Sequence, residues 1–359
     1  MGTRSAPPPE GHRPARSALR LLLLAAATAA LALGMDQLGL PSPALFAGLV
    51  VCLAHALTSH QELQLPALVT TAGQAVIGVL MGVLVQPSTL TTLADSWLPI
   101  TGITVATLLL TVVAGLLLAR FTPLDRTTAA FGMIAGGASG IVAVSDELGA
   151  DGRLVAVLQY LRVLMIVVLM PIAAVVLFGG TGAQVAPPQG EHLAWPIGLA
   201  AVLVIAVAGS WAGRLARLPV PNLLGPLVIA TALAAFDLPL AASIPGLLSD
   251  VAFAIIGAQV GLRFTRTTLR VIRRILPVAT ALIVGLIVAS AGLGVALSAV
   301  TGLSPLDGYL ATTPGGIFVV LALAAGSDAD STVVLTVQVL RMLVMLLAGP
   351  PLARLLRER

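Results

Sequence analysis

The sequence predicts an all-α polytopic membrane protein of two inverted repeats, each with about five transmembrane helices and a glycine-broken re-entrant element. Three observations lead there: an apolar composition, an internal duplication, and the placement of arginine. Apolar residues make up 58% of the 359 and charged residues 9%, and mean hydropathy is +1.05. Soluble domains carry about 25% charged residues. Trp97–Ala119, Leu154–Phe178, Ile275–Val300 and Thr332–Ala353 each exceed the roughly 18 apolar residues that mark a membrane span.

The duplication orders the chain. "LPSPALFAGLVV" (Leu40–Val51) recurs as "LPVPNLLGPLVI" (Leu218–Ile229), and "IGVLMG" (Ile77–Gly82) as "IGAQVG" (Ile256–Gly261). Pro123–Asp125 repeats its PLD at Pro305–Asp307. Gly136 and Gly315, Gln159 and Gln338, Arg162 and Arg341, and Pro171 and Pro350 are each 179 residues apart. The expected organisation is a disordered basic N-terminus over 1–18, repeat one over 19–178, a linker over 179–194 and repeat two over 195–356. The apolar stretch after residue 18 resembles a signal peptide, but its counterpart in the second half predicts a retained helix.

Six apolar elements are expected in each half. In the first they lie near 19–34, 43–58, 66–86, 97–119, 127–145 and 154–178. In the second they lie near 195–213, 222–236, 247–262, 275–300, 309–325 and 331–353. Arginine then sets orientation, because cytoplasmic loops collect positive charge. The chain has no lysine and a net charge of +4. Apart from Arg153, Arg162 and Arg341, its arginines fall in the N-terminus, at Arg120/Arg126, at Arg214/Arg217, across 263–274 and at the C-terminus, leaving 35–42, 87–96, 179–194, 237–246 and 301–308 free of them. If all twelve elements crossed, the five-arginine loop 263–274 would lie outside. If 127–145 and 309–325 instead enter and leave on one side, every arginine-rich segment and both termini are cytoplasmic. The second half is then upside down relative to the first, an architecture of transporters.

The same two elements carry glycine pairs, Gly136-Gly137 and, after Pro314, Gly315-Gly316. Such breaks at membrane depth persist only where protein or water satisfies the backbone. A helix restarting at Ser139 or Gly316 would aim its positive end at the membrane centre, where it could hold an anion. Close helix packing on small residues is the other use of these glycines. Arg162 and Arg341 lie deep in apolar helices, a costly position, and Gln159 and Gln338, three residues before, share their faces. Expected counter-charges are Asp146, Glu147 and Asp151 in the first half and Asp328 and Asp330 in the second. These arginines either bind substrate, form structural ion pairs or snorkel to the membrane interface. Weaker candidates are Gln74, Asp250 and Gln259 as cavity-lining polar residues. Cys52, His55, His60 and Glu62 have metal-like spacing, but Cys52 and His55 have no ligand counterparts in the second half. No metal site, cofactor or catalytic residue is expected, and no module for direct nucleic-acid contact is visible.

The signatures "GGASGIVAVSDELGADGRLVAVLQYLRVLMIVVLMP" and "TTPGGIFVVLALAAGSDADSTVVLTVQVLRMLVMLLAGP" resemble the AbrB-type duplicated membrane family. Its members carry labels such as regulator of aidB expression, AbrB-family transcriptional regulator and ammonia monooxygenase. Many members have Ser-Glu after the glycines, where this chain has Ser139-Gly140. The resemblance covers nearly everything from residue 20 and implies a bacterial inner-membrane protein. The residues read best as a non-enzymatic permease for a small, anionic solute, with the bilayer as surroundings and a homo-oligomer as an open option. An indirect membrane-bound regulator is the alternative, and a monooxygenase the least supported reading.

Overall fold

A computed structural model describes residues 14–37, 42–59, 63–85, 96–134, 145, 149–178, 195–218, 220–236, 245–266, 270 and 273–356. Among these every regular element is a helix. Repeat one contributes α1 (Pro14–Gln37), α2 (Pro43–Thr58), α3 (Ala67–Leu84), α4 (Trp97–Phe121), α5 (Arg126–Met133) and α6 (Gly152–Phe178). Repeat two contributes α7 (Trp195–Leu215), α8 (Pro221–Ala235), α9 (Gly246–Gly261), α10 (Leu276–Thr301), α11 (Pro305–Thr312), α12 (Ile317–Ala325) and α13 (Ser331–Leu356). The helices α1, α3, α4, α6, α7 and α10 are long and apolar enough to cross a membrane. With α2, α8 and α9 as shorter apolar helices, of about 24 Å at 1.5 Å per residue, this is a multi-pass membrane-type protein.

Local chemistry explains the boundaries. Both α2 and α8 start with proline at the first turn, where its missing N–H costs nothing. Their preceding residues, Ser42 and Val220, both adopt the left-handed region, φ 51 and 52. The duplicated L-P-x-P motif thus builds the same bend twice. The expected single element 309–325 is two helices, because Pro314 lacks an N–H and Gly315 and Gly316 adopt φ 117 and 69.

That broken element returns to its starting level. Asp307, in the first turn of α11, accepts a hydrogen bond from the Asp330 N–H at 2.7 Å, immediately before α13. In the first half the Asp151 N–H donates to Thr128 Oγ1 at 2.8 Å, immediately before α6. Asp307 and Thr128 are therefore structural equivalents, 179 residues apart. The PLD repeat suggested Asp125 instead. Asp125 caps α5, accepting from the Thr128 N–H at 2.7 Å, a post that Ser304 fills for α11.

The helices form two bundles, each drawing on both halves. In the first bundle α2 packs along α9 and α3 along α8, with α7 on α8 and α1 on α2. Glycine permits these approaches. A Cβ at Gly48 would strike the Ala254 carbonyl, at Gly257 that of Leu45, and at Gly78 and Gly82 those of Leu223 and Leu227. In the second bundle α4–α6 pack with α10–α13, and Gly294 of α10 meets Gly308 of α11 backbone to backbone. The second bundle holds the candidate site.

Candidate functional site

The last carbonyls of a helix have no intrahelical donor, and its C-terminal end carries partial negative charge. Two short helices of the second bundle, α5 and α11, end inside the protein with this problem, and both have the same solution. From α6, Gln159 Nε2 donates to the Phe131 carbonyl at 2.6 Å and the Ile134 carbonyl at 2.8 Å. Arg162 Nη1 donates to the Met133 carbonyl at 2.8 Å, and its Nη2 to Gln159 Oε1 at 2.7 Å.

Repeat two reproduces each bond. From α13, Gln338 Nε2 donates to the carbonyls of Leu310 at 2.8 Å and Thr313 at 3.2 Å. Arg341 donates to the Thr312 carbonyl at 3.3 Å and also to that of Thr313. Its Nη2 reaches Gln338 Oε1 at 2.6 Å. The three-residue spacing of each glutamine and arginine places them on one face, and that face is the one the helix terminus needs.

Among the described residues, these bonds stand where ion pairs with Asp151, Asp328 and Asp330 were expected. Arg162 and Arg341, 2% and 3% exposed, take helix C-terminal carbonyls and a glutamine as partners. Asp151 instead caps α6, accepting from the N–H groups of Arg153 and Leu154 at 3.0 Å each. Asp330 caps α13 through the N–H groups of Thr332 at 2.8 Å and Val333 at 3.2 Å. Asp328 is exposed in the turn after α12. Carboxylates at helix N-termini satisfy the opposite pole of the same dipole. Asp146, Glu147, Gly136, Gly137 and Ser139 lie outside the described residues.

The two halves meet at this site. A Cβ on Gly315, in the repeat-two break, would lie 3.0 Å from Arg162 Nε and 3.2 Å from Nη2, and one on Gly316 3.8 Å from a Val163 methyl. Among the described residues, Nε of each arginine is buried without a hydrogen-bond partner. Beside Arg162, α12 restarts at Ile317 after Gly316, with its first N–H groups directed back along the helix axis. Among the described residues the break therefore combines an unused guanidinium donor, a helix N-terminus and no side chain on Gly315. That combination suits an anion.

Sequence reasoning missed the polar lining of this bundle. Thr312 Oγ1 donates to the Ser290 carbonyl at 2.8 Å, tying α11 to α10, and Ser290 Oγ is buried without a partner. Ser290 lies 179 residues after Thr111, so a repeat-aligned search for hydroxyls would have found it. The weaker candidates belong to the other bundle. Gln74 sits on α3, Gln259 on α9 and Asp250 is exposed in the second turn of α9. Cys52 is buried where α2 faces Gly261 of α9, and His60 and Glu62 lie outside the described residues.

A family model described as "Transition state regulatory protein AbrB" matches residues 46–357. Over 296 residues the chain is 34% identical to "Putative regulator AbrB" of Escherichia coli (strain K12), covering 81% of this chain and 84% of that protein. It is 27% identical over 301 residues to "Uncharacterized protein YhjN" of Bacillus subtilis (strain 168), covering 80% and 78%. This chain belongs to the AbrB family.

Proposed function

We propose that this AbrB-family protein is a secondary transporter for a small anionic solute, which binds at the Gly315 break beside Arg162 and Arg341. The observation that carries the reading is Arg162 Nε, buried, without a partner and against Gly315 of the opposite repeat. A buried guanidinium is costly to hold in a bilayer, and spending only part of its donor set on the fold leaves the rest for a ligand. In this reading the first-half glycines Gly136 and Gly137, with Ser139, supply the matching break next to Arg341.

The connections at the helix ends support an inverted arrangement. Ser42 before α2 bonds the Ala322 carbonyl near the end of α12, and Thr332 at the start of α13 bonds the Leu84 carbonyl at the end of α3. Those ends belong to one face, the arginine-poor one. Arg266, after α9, bonds the Leu57 and Thr58 carbonyls at the end of α2, on the arginine-rich face. In this reading, following the chain between these faces, each repeat-two helix with a described repeat-one counterpart runs opposite to it. Both termini then lie with the arginines on the cytoplasmic side of a bacterial cell membrane.

Thermal unfolding of the purified protein against a panel of phosphate, sulfate, nitrate and mono- and dicarboxylates tests the site. At least one anion stabilises the wild type, and Arg162→Lys, which keeps a charge but loses Nε, loses most of that shift. An equal shift in both proteins, or none with any anion, contradicts the assignment. The regulator name of the Escherichia coli relative favours a second reading, an indirect membrane-bound regulator with a partner on the exposed Arg270, Arg273 and Arg274. Recovery of no partner on co-purification from bacterial membranes counts against it.

A further inference from the structure

The two bundles are held together internally in a different way from how they are held to each other. Inside each, glycine brings backbone onto backbone: Gly48 and Gly257 between α2 and α9, Gly78 and Gly82 between α3 and α8, Gly209 and Gly225 between α7 and α8, Gly115 between α4 and α5, and Gly294 between α10 and α11. Such interlocked surfaces cannot shift without collision. Across the seam no described glycine makes such an approach: a Cβ on Gly326 would lie 3.3 Å from the Ser42 hydroxyl, a side-chain atom that can turn aside, and 3.5 Å from its backbone N. Among the described residues, polar ties across the seam include side-chain bonds at its two rims. Ser42 Oγ donates to the Ala322 carbonyl at 2.7 Å and Thr332 Oγ1 to the Leu84 carbonyl at 3.3 Å on the arginine-poor face. On the other face Arg263 donates to the Tyr160 hydroxyl and stacks 4.2 Å above its ring. Where α9 and α12 meet across the seam, both contribute to one apolar core, with Ile256 from α9 and Val319 and Val320 from α12, and aliphatic packing has no directional bonds to break.

We infer that the bundle of α4–α6 and α10–α13 moves as one body along the bundle of α1–α3 and α7–α9, carrying the arginine site with it. Gln159, Arg162, Gly315, Gln338 and Arg341 all belong to the moving bundle, so the site crosses the seam's length without being taken apart. Sliding of packed helices is an established mode of domain movement. The inference rests on the transport reading for its purpose, and its own basis is how the contacts divide.

Distances between spin labels test it in liposomes, in a Cys52→Ala background. Label pairs are placed at exposed positions: Val113 with Val288 inside the moving bundle, Val50 with Val204 inside the other, and Val113 with Val204 across the seam. The two internal pairs should each give one narrow distance. The seam pair should give a broad or two-peaked distribution spread over about one helical turn, ~5 Å. Oxidising a Ser42→Cys/Gly326→Cys pair should collapse it to one peak, reversed by reduction. A seam distance as narrow as the internal ones, unaltered by the cross-link, overturns the inference. Anion binding is read separately by thermal shift, so a rigid seam and an absent ligand site are distinguishable failures.

Discussion

Replacing Gln159 with leucine removes one buried amide that closes three hydrogen bonds: to Phe131 at 2.6 Å, to Ile134 at 2.8 Å and from Arg162 at 2.7 Å. Side-chain hydrogen bonds inside membrane proteins contribute about 0.6 kcal/mol on average and up to ~1.7. A buried group left without its partner adds about 1–3 kcal/mol. Because Arg162 Nη1 still reaches the Met133 carbonyl, the α5 terminus is loosened but keeps one donor. The expected loss is about 2–5 kcal/mol. Gln338→Leu should cost a similar amount, since Leu310, Thr313 and Arg341 repeat the geometry. Gln74→Leu, on a partly exposed position of the other bundle, should change stability by less than about 0.5 kcal/mol. Reversible denaturant unfolding in mixed micelles, followed by circular dichroism, measures all three. If Gln159→Leu and Gln338→Leu both stay within that smaller margin, the carbonyl-capping account of the buried glutamines is wrong.

Gly315→Ala forces alanine to φ 117 and against Arg162, so it should destabilise by about 1–3 kcal/mol and weaken anion-induced stabilisation. Gly292→Ala, with open space around it in α10, should be neutral or stabilising by up to about 1 kcal/mol. The same unfolding measurement compares them. Asp307→Ala removes an acceptor for the Asp330 N–H and half of the capping box with Ser304. It should cost about 1–2 kcal/mol, and Thr128→Val somewhat less, with faster amide exchange at Asp330 and Asp151 respectively. In a Cys52→Ala background, Gly246→Cys should react with an impermeant maleimide in intact cells. Arg270→Cys should react only after permeabilisation, and the reverse pattern would invert the orientation.

The sequence was most legible where punctuation and hydropathy agree. Pro43 and Pro221 mark the starts of α2 and α8, within one residue of where the apolar runs place them. The duplication was legible because Gln159, Arg162 and their repeats keep one spacing, and the structure gives those four residues identical posts. The partners of the arginines were not legible. A reading of charges pairs Arg162 with Asp151, yet the negative end it meets is a helix terminus made of the Phe131–Ile134 backbone, which no composition reveals. Asp151 and Asp330 are committed by local geometry to the N–H groups that follow them. The break within 309–325 was visible as Pro314-Gly315-Gly316, but its approach to Arg162 of the other repeat depends on how the second bundle assembles. The division into two bundles was hidden for the same reason, since glycine reports a close approach without naming the partner.

The central claim is that Arg162 and the Gly315 break, drawn from opposite repeats, form one anion site in a transporter. Flux of radiolabelled anions into proteoliposomes tests it most directly, using any anion that stabilises the purified protein and comparing wild type with a folded Arg162→Lys variant. The account predicts saturable uptake by the wild type, reduced at least about tenfold in the variant, the equivalent of 1.4 kcal/mol. Uptake that is unchanged in Arg162→Lys, or absent from wild-type vesicles for every stabilising anion, would contradict it.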